Sequence, residues 1–164
     1  MNAPSTPWWR GTRGEWYVVA QIALMVLVFL GPRTLPGLPV WPVSLARASV
    51  VAGAVLALAS VLLLLSGLLR LGPNLTPLPY PTAGATLIQS GPYRFVRHPM
   101  YAGGIAMAYG WSLFVCGWLT LVYATILFAF LDVKATREER WLTTRFPDYP
   151  AYQGRVRKLI PFIH

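Results

Sequence analysis

Between Tyr101 and Leu131 the chain runs for 31 residues without a single charge. A membrane-spanning helix takes about 20 apolar residues, so this run is too long for one span and too short for two full ones. As a single helix it would measure about 46 Å at 1.5 Å per residue, well past a hydrocarbon core of about 30 Å. Gly117 lies near its middle, with Trp118 next, and two shorter helices turning there would form a tight hairpin. His98 lies 19 residues before Gly117 and Glu138 lies 21 after it. The hairpin therefore returns His98 and Glu138 to nearly the same depth on the same side, whereas a single helix would place them on opposite faces.

The rest of the chain agrees with a membrane setting. It is 55% hydrophobic and 12% charged, against roughly 25% charged in soluble domains. Ala48 to Leu69 is the clearest span, uncharged throughout and ended by Arg70, which can snorkel to headgroups. Its small residues Ala52, Gly53, Ala54 and Ala57 suit either close approach of a second helix or a lipid-facing surface. Tyr17 to Leu30 is apolar except for Gln21, and Trp8, Trp9, Trp16 and Tyr17 flank it as interfacial aromatics. A basic start before such a run is also the pattern of a signal peptide. GPRTLPGLP follows in place of a small-residue cleavage site, so the run is read as a retained first helix. Gly31 to Pro42 carries four prolines and cannot be helical throughout. Leu71 to Gln89 is Pro- and Gly-rich and too long for a simple connector, so it is expected to fold over something. Lys134 to Arg145 lacks Gly and Pro and should carry the last helix out of the bilayer until Pro147 and Pro150 stop it. The fold class expected is an all-α polytopic membrane protein, residues 1–164 forming one domain. It has about four membrane crossings, the last two a short helical hairpin, and a cytoplasmic C-terminal helix extension.

The formal net charge of +9 does not point to nucleic acid, because the basic residues flank apolar runs and no soluble domain presents them as a groove. With four crossings and a cytoplasmic N-terminus, twelve of the 14 Lys and Arg fall inside, and Arg33 and Arg47 fall outside. The positive-inside bias selects that orientation, with both termini cytoplasmic. The lone Cys116 lies in an apolar run and reads as a small buried hydrophobe. Two histidines without clustered acids offer no metal site, Ser90 lacks a His/Asp partner set, and Gly103, Gly104 and Gly110 do not follow a strand.

Chemistry concentrates in Leu87 to Gly104, LIQSGPYRFVRHPMYAGG. Ser90-Gly91-Pro92 is turn chemistry, and Pro99 suits the first turn of a helix. An imidazole and a guanidinium, from His98 and Arg97, thus sit at the mouth of a membrane helix. The run GPYRFVRHPMYAG resembles the signature of the integral-membrane isoprenylcysteine carboxyl methyltransferases and their phospholipid methyltransferase relatives. The second signature of that family is matched by Glu138-Glu139, Leu142, Phe146, Tyr149, Tyr152 and the basic RVRKLIPFI. The resemblance covers roughly Pro73 to Ile163. The apolar runs thus give the first two helices over residues 16–70, the resemblance implies a cofactor-binding half over residues 71–164, and a chain this short has no room for the soluble parallel-sheet methyltransferase fold.

The resemblance implies S-adenosyl-L-methionine as cofactor, and near a bilayer each of its charges needs a partner. Glu138, with Glu139 beside it, is suited to the ammonium or the ribose hydroxyls. Arg97 and His98 are suited to the carboxylate, and the rings of Tyr93 and Tyr101 to flat or cationic parts. By position, Leu87, Ile88 and the run His98, Pro99, Met100, Tyr101 correspond to the cofactor-contacting segments of the family, and Gly103 would admit a close backbone approach. The family places an Arg one helical turn before the first Glu as partner of the substrate carboxylate. Here that position is Lys134, which keeps the charge without the two-pronged geometry, and Arg137 is the alternative. No catalytic residue is singled out. The expected acceptor is a lipophilic molecule or lipid arriving from the bilayer of the cell (inner) membrane, methylated at a carboxylate oxygen or at a phospholipid amine. A non-catalytic membrane scaffold is the reading from a different class.

Overall fold

A computed structural model of the protein describes residues 14–76, 78 and 84–161. The aromatic and basic residues of the first thirteen positions, and most of the centre of the Leu71–Gln89 loop, lie outside the described residues. Among the described residues there are five α-helices and no strand: α1 Glu15–Leu30, α2 Val43–Leu71, α3 Pro99–Phe114, α4 Trp118–Arg145 and α5 Tyr149–Arg155. Two helical segments, Val43–Asn74 and Trp118–Arg145, are long and apolar enough to cross a membrane, and α1 is a shorter apolar helix.

The hairpin forms where the sequence places it. α3 ends at Phe114, and Gly117 caps α4. Cys116 sits in the turn at φ 47°, only partly buried. This corrects the expectation of a buried hydrophobe: the thiol belongs to a residue in the left-handed region, which a non-glycine adopts only when its surroundings hold it there. The turn is held by the Gly117 N–H donating to Ser112 O and the Leu119 N–H donating to Arg33 O.

α2 packs along α3 in antiparallel sense on a seam of small residues. Gly53, Ser60 and Gly67 recur every seven residues and are all buried, a spacing that keeps them on one helix face. A Cβ built on Gly53 would stand 2.5 Å from Gly110 O and Phe114 N, and one on Gly110 would stand 2.9 Å from Ala57 N. Gly53 and Ala57 thus serve helix approach, whereas Ala52 and Ala54 are exposed on the outer face of α2. Farther along the seam, Gly103 faces Leu64 and Gly67 faces Pro99 and Met100. The buried hydroxyls of Ser60 and Ser112 donate to Leu56 O and Ala108 O of their own helices, each at 2.7 Å, so the seam buries no unmet donor there.

α1 lies against α4 and α3 through larger groups: Tyr17 on Phe130 at 5.9 Å and Phe29 on Trp111 at 6.0 Å. Val28, Ile105, Ala108, Ala124, Leu127, Leu131 and Leu159 form the common core. α5 is an element the sequence reading did not foresee. Pro147 ends α4 as expected, but Pro150 occupies the first turn of the new helix, where its missing N–H costs nothing.

After α5 the chain returns across the start of α3. Val96 and Arg157 form an isolated parallel bridge. The Arg97 N–H donates to Arg157 O at 2.8 Å, and the His98 N–H donates to Lys158 O at 3.1 Å. Lys158 Nζ then donates to Asp132 Oδ1 at 2.7 Å and to Thr136 Oγ1 at 2.9 Å on α4.

Candidate functional site

Four parts of the chain converge on one end of the bundle: the start of α3, the C-terminal half of α4, α5, and residues 74–76 together with 85–88. They enclose a cavity of about 380 Å³, within the range of small-molecule sites of about 300–1,000 Å³. Val18 and Gln21 of α1 and Leu68 and Leu71 of α2 close its apolar side. The adjoining stretch is braced at its base, where the Thr86 N–H donates to Asn74 Oδ1 at 2.8 Å, and Arg70 Nε donates to Ser90 Oγ at 2.8 Å.

The polar end is built around His98. Pro99 starts α3, so His98 is its N-terminal flanking residue and is 7% exposed. Its Nδ1 lies 3.8 Å from Glu138 Oε2, and its Nε2 lies 3.1 Å from Glu139 Oε1. The Tyr101 ring stacks on the imidazole at 5.4 Å, and the Tyr101 hydroxyl donates to Glu138 Oε2 at 2.9 Å. The depth matching read from the hairpin thus ends in contact between the two motifs.

The adjacent glutamates have different surroundings. Glu138 lines the cavity, with a quarter of its side chain accessible. Glu139 is not among the lining residues. Its Oε1 accepts from Arg97 Nε at 2.7 Å and its Oε2 from Gln153 Nε2 at 2.9 Å. Arg97 also donates through Nη1 to Gln153 O and Val156 O. Arg97 reaches the cavity wall, but its guanidinium is engaged by Glu139 and the C-terminal backbone. Glu139 is placed as the counter-charge that fixes Arg97 and His98.

The remaining expected site residues divide. Leu87, Ile88, Tyr93, Pro99, Met100, Tyr101 and Lys134 all line the cavity. Gly103 does not: it faces Leu64, and its missing side chain admits α2 and not a ligand. Arg137 is also absent from the lining, its guanidinium lying over the rings of Tyr17 and Trp141 at 5.4 and 5.3 Å. Lys134 is 2% exposed, with Nζ donating to Gln21 Oε1 at 2.6 Å and lying 5.2 Å from the Tyr101 ring centroid. Gln21 was legible only as a polar break in an apolar run. Nothing local in the sequence shows that α1 delivers it to the cavity.

Tyr149 and Tyr152 of α5, noted in sequence as parts of a motif, also line the cavity. The Tyr152 hydroxyl donates to Tyr93 O at 2.5 Å. Burial, and then the Glu138 charge, push the Tyr93 phenol up to about 12. Burial likewise raises Tyr149 and Tyr152, so all three phenols are neutral at physiological pH. The chamber therefore has an apolar side, a buried ammonium, and a polar end holding carboxylate, imidazole and phenols. It offers partners for charges of both signs beside an apolar wall.

Residues 48–148 match the phospholipid methyltransferase family. The chain belongs to that family. Proteins similar to this chain include a protein-S-isoprenylcysteine O-methyltransferase of Schizosaccharomyces pombe, 34% identical over 79 residues, covering 47% of this chain and 34% of the relative. A probable protein-S-isoprenylcysteine O-methyltransferase of Oryza sativa subsp. indica is 34% identical over 79 residues, covering 47% and 41%. Methanethiol S-methyltransferase 1 of Bradyrhizobium diazoefficiens is 37% identical over 71 residues, covering 43% and 24%. The matches thus span well under half the length of these curated relatives. Family membership and its apolar helices mark the chain as a membrane protein.

Proposed function

We propose that this protein is an S-adenosylmethionine-dependent methyltransferase acting on a lipophilic acceptor drawn from the bilayer. The observation that carries the reading is the cavity itself: an apolar chamber whose closed end presents Glu138, His98 and Tyr101 in contact with one another. The residues fit the cofactor. Glu138 is the cavity-facing carboxylate for its ammonium, the tyrosine rings suit its flat and cationic parts, and Tyr149 presents a buried hydroxyl without a partner.

When bound, S-adenosylmethionine supplies an electrophilic methyl group on a sulfonium. What the chain adds is placement and exclusion of water. His98 and Tyr101 hold the Glu138 carboxylate in place, and Glu139 and Arg97 hold His98. Lys134, on the side lined by Val18, Gln21 and Leu68, presents positive charge toward an acceptor lying along the apolar wall. That favours an anionic acceptor group, because a positive charge in a low-dielectric site repels a second one. A carboxylate is nucleophilic at neutral pH without a general base. The S. pombe relative is named for O-methylation of an isoprenylcysteine protein, and a lipid-like or prenylcysteine-type carboxylate is accordingly favoured. Methylation of a phospholipid amine is the second reading, supported by Glu138 as a carboxylate able to take an amine proton.

Calorimetric titration of the detergent-purified protein with S-adenosylhomocysteine tests the proposal. Binding is expected in the wild type and lost in Glu138→Gln. A folded protein that binds nothing would be a scaffold and not an enzyme. The site is further assigned to the cytoplasmic side of a four-crossing protein. Cysteines replacing His98 and Glu138, with Cys116 removed, should both react with an aqueous maleimide added from that side, and labelling from opposite faces would refute the topology.

A further inference from the structure

The Tyr149 hydroxyl is a buried polar atom with no hydrogen-bond partner. The residue is 1% exposed and lines the cavity. A buried hydroxyl left unpaired carries its full desolvation cost, and native structures seldom leave one without a reason. Its neighbour shows the contrast. The Tyr152 ring meets that of Tyr149 edge-on at 5.8 Å, yet its hydroxyl is satisfied by Tyr93 O.

The surroundings indicate what the phenol awaits. The Arg97, Glu138 and Glu139 charges all act on it. Glu138 takes the Tyr101 hydroxyl, and Arg97 donates to Glu139 and to the Gln153 and Val156 backbone oxygens. A zwitterionic amino-acid group entering here finds a carboxylate for its ammonium in Glu138. Its own carboxylate meets a guanidinium already engaged and needs another donor. We infer that the Tyr149 hydroxyl supplies that donor, holding the carboxylate of the amino-acid end of the cofactor.

The inference rests on the cofactor proposed above. Burial raises the phenol, so it is protonated and able to donate across the physiological range. Tyr149 stands 51 residues beyond His98 on a helix the sequence reading did not foresee. On this reading α5 does more than pack beneath the site: it contributes a ligand-binding group.

Tyr149→Phe separates this role from a structural one. Ligand-free Tyr149→Phe should melt at or above the wild-type temperature, since no internal hydrogen bond is lost, whereas Tyr152→Phe should melt lower. By titration, Tyr149→Phe should bind S-adenosylhomocysteine about tenfold or more weakly, the loss expected for a hydrogen bond to a charged group. It should bind 5′-methylthioadenosine, which lacks the amino-acid end, as the wild type does. Equal affinity of both proteins for S-adenosylhomocysteine would overturn the inference while leaving the cofactor reading intact. Equal losses for the two ligands, or a ligand-free melting point lowered as in Tyr152→Phe, would also overturn it. A wild type that binds neither compound would remove the cofactor reading and this inference together.

Discussion

The two long walls of the bundle are built on opposite plans. Between α2 and α3 the backbones nearly touch, with Gly53 against Gly110 and Phe114 and Gly103 against Leu64. Between α1 and α4 the contact runs through rings and long side chains, Tyr17 on Phe130 and Lys134 on Gln21. Backbone contact has no slack, because neither partner can rotate out of the way. Long side chains can change rotamer and admit something between them. The first wall fixes where α3 begins, and so where His98 stands. The second borders the apolar part of the cavity, where a lipophilic acceptor of variable shape would have to fit.

Substitutions can break the rigid wall more severely than the adaptable one. The largest effect is expected from Gly53→Leu, where the first added carbon already meets the α3 backbone at 2.5 Å. Overpacking of this kind typically costs 1–3 kcal/mol and more when backbone must shift, so loss of the folded monomer in detergent size-exclusion chromatography is the expected outcome. Gly103→Ala should follow, at about 1–2 kcal/mol by thermal melting, because its Cβ would stand 2.8 Å from Leu64 Cγ, an atom able to give way in part.

The adaptable wall should respond less. Gln21→Leu removes an interhelical hydrogen bond from the buried Lys134 ammonium, at the upper end of the range in membranes, about 1.7 kcal/mol at most, so melting should shift modestly. An effect on acceptor KM larger than on melting would place Gln21 in recognition, and the reverse would make α1 a structural strut. Smallest of all is Gly104→Ala, beside Gly103 but with nothing within 4 Å of its added carbon. In a helix interior that change should stabilise by about 0.5–1 kcal/mol. A destabilised Gly104→Ala would show that the seam is wider than the structure draws it.

Much of this division was written in the sequence, though not all. The uncharged run from Tyr101 to Leu131 fits a fold-back at Gly117 better than a single helix, and that brings His98 to Glu138 without knowledge of any contact. The glycines were harder to read. Gly53 and Gly103 are both small residues in apolar runs, and nothing local tells a helix seam from a ligand approach. Lys134 reads from sequence as a substrate-carboxylate partner, but its pairing with Gln21 on α1 is not legible, because the two lie 113 residues apart. The pairing of Arg97 with Glu139 was hidden for the same reason. Each motif residue was visible, but which of two adjacent glutamates faces the cavity depends on the rotation of α4. α5 was missed because Pro150 reads equally as a stop or as a start.

The strand-like return at Arg157 and Lys158 bears on the order in which the protein matures. The backbone of His98 is tied to Lys158, and Arg97 to Val156, 59 residues further along the chain. During synthesis the α3–α4 hairpin can form while that segment is still being made. His98 and Arg97 therefore emerge without the groups that will hold them, and the polar end is assembled only afterwards. Folding of the hairpin and completion of the site are thus separable, and the second waits on residues 156–158.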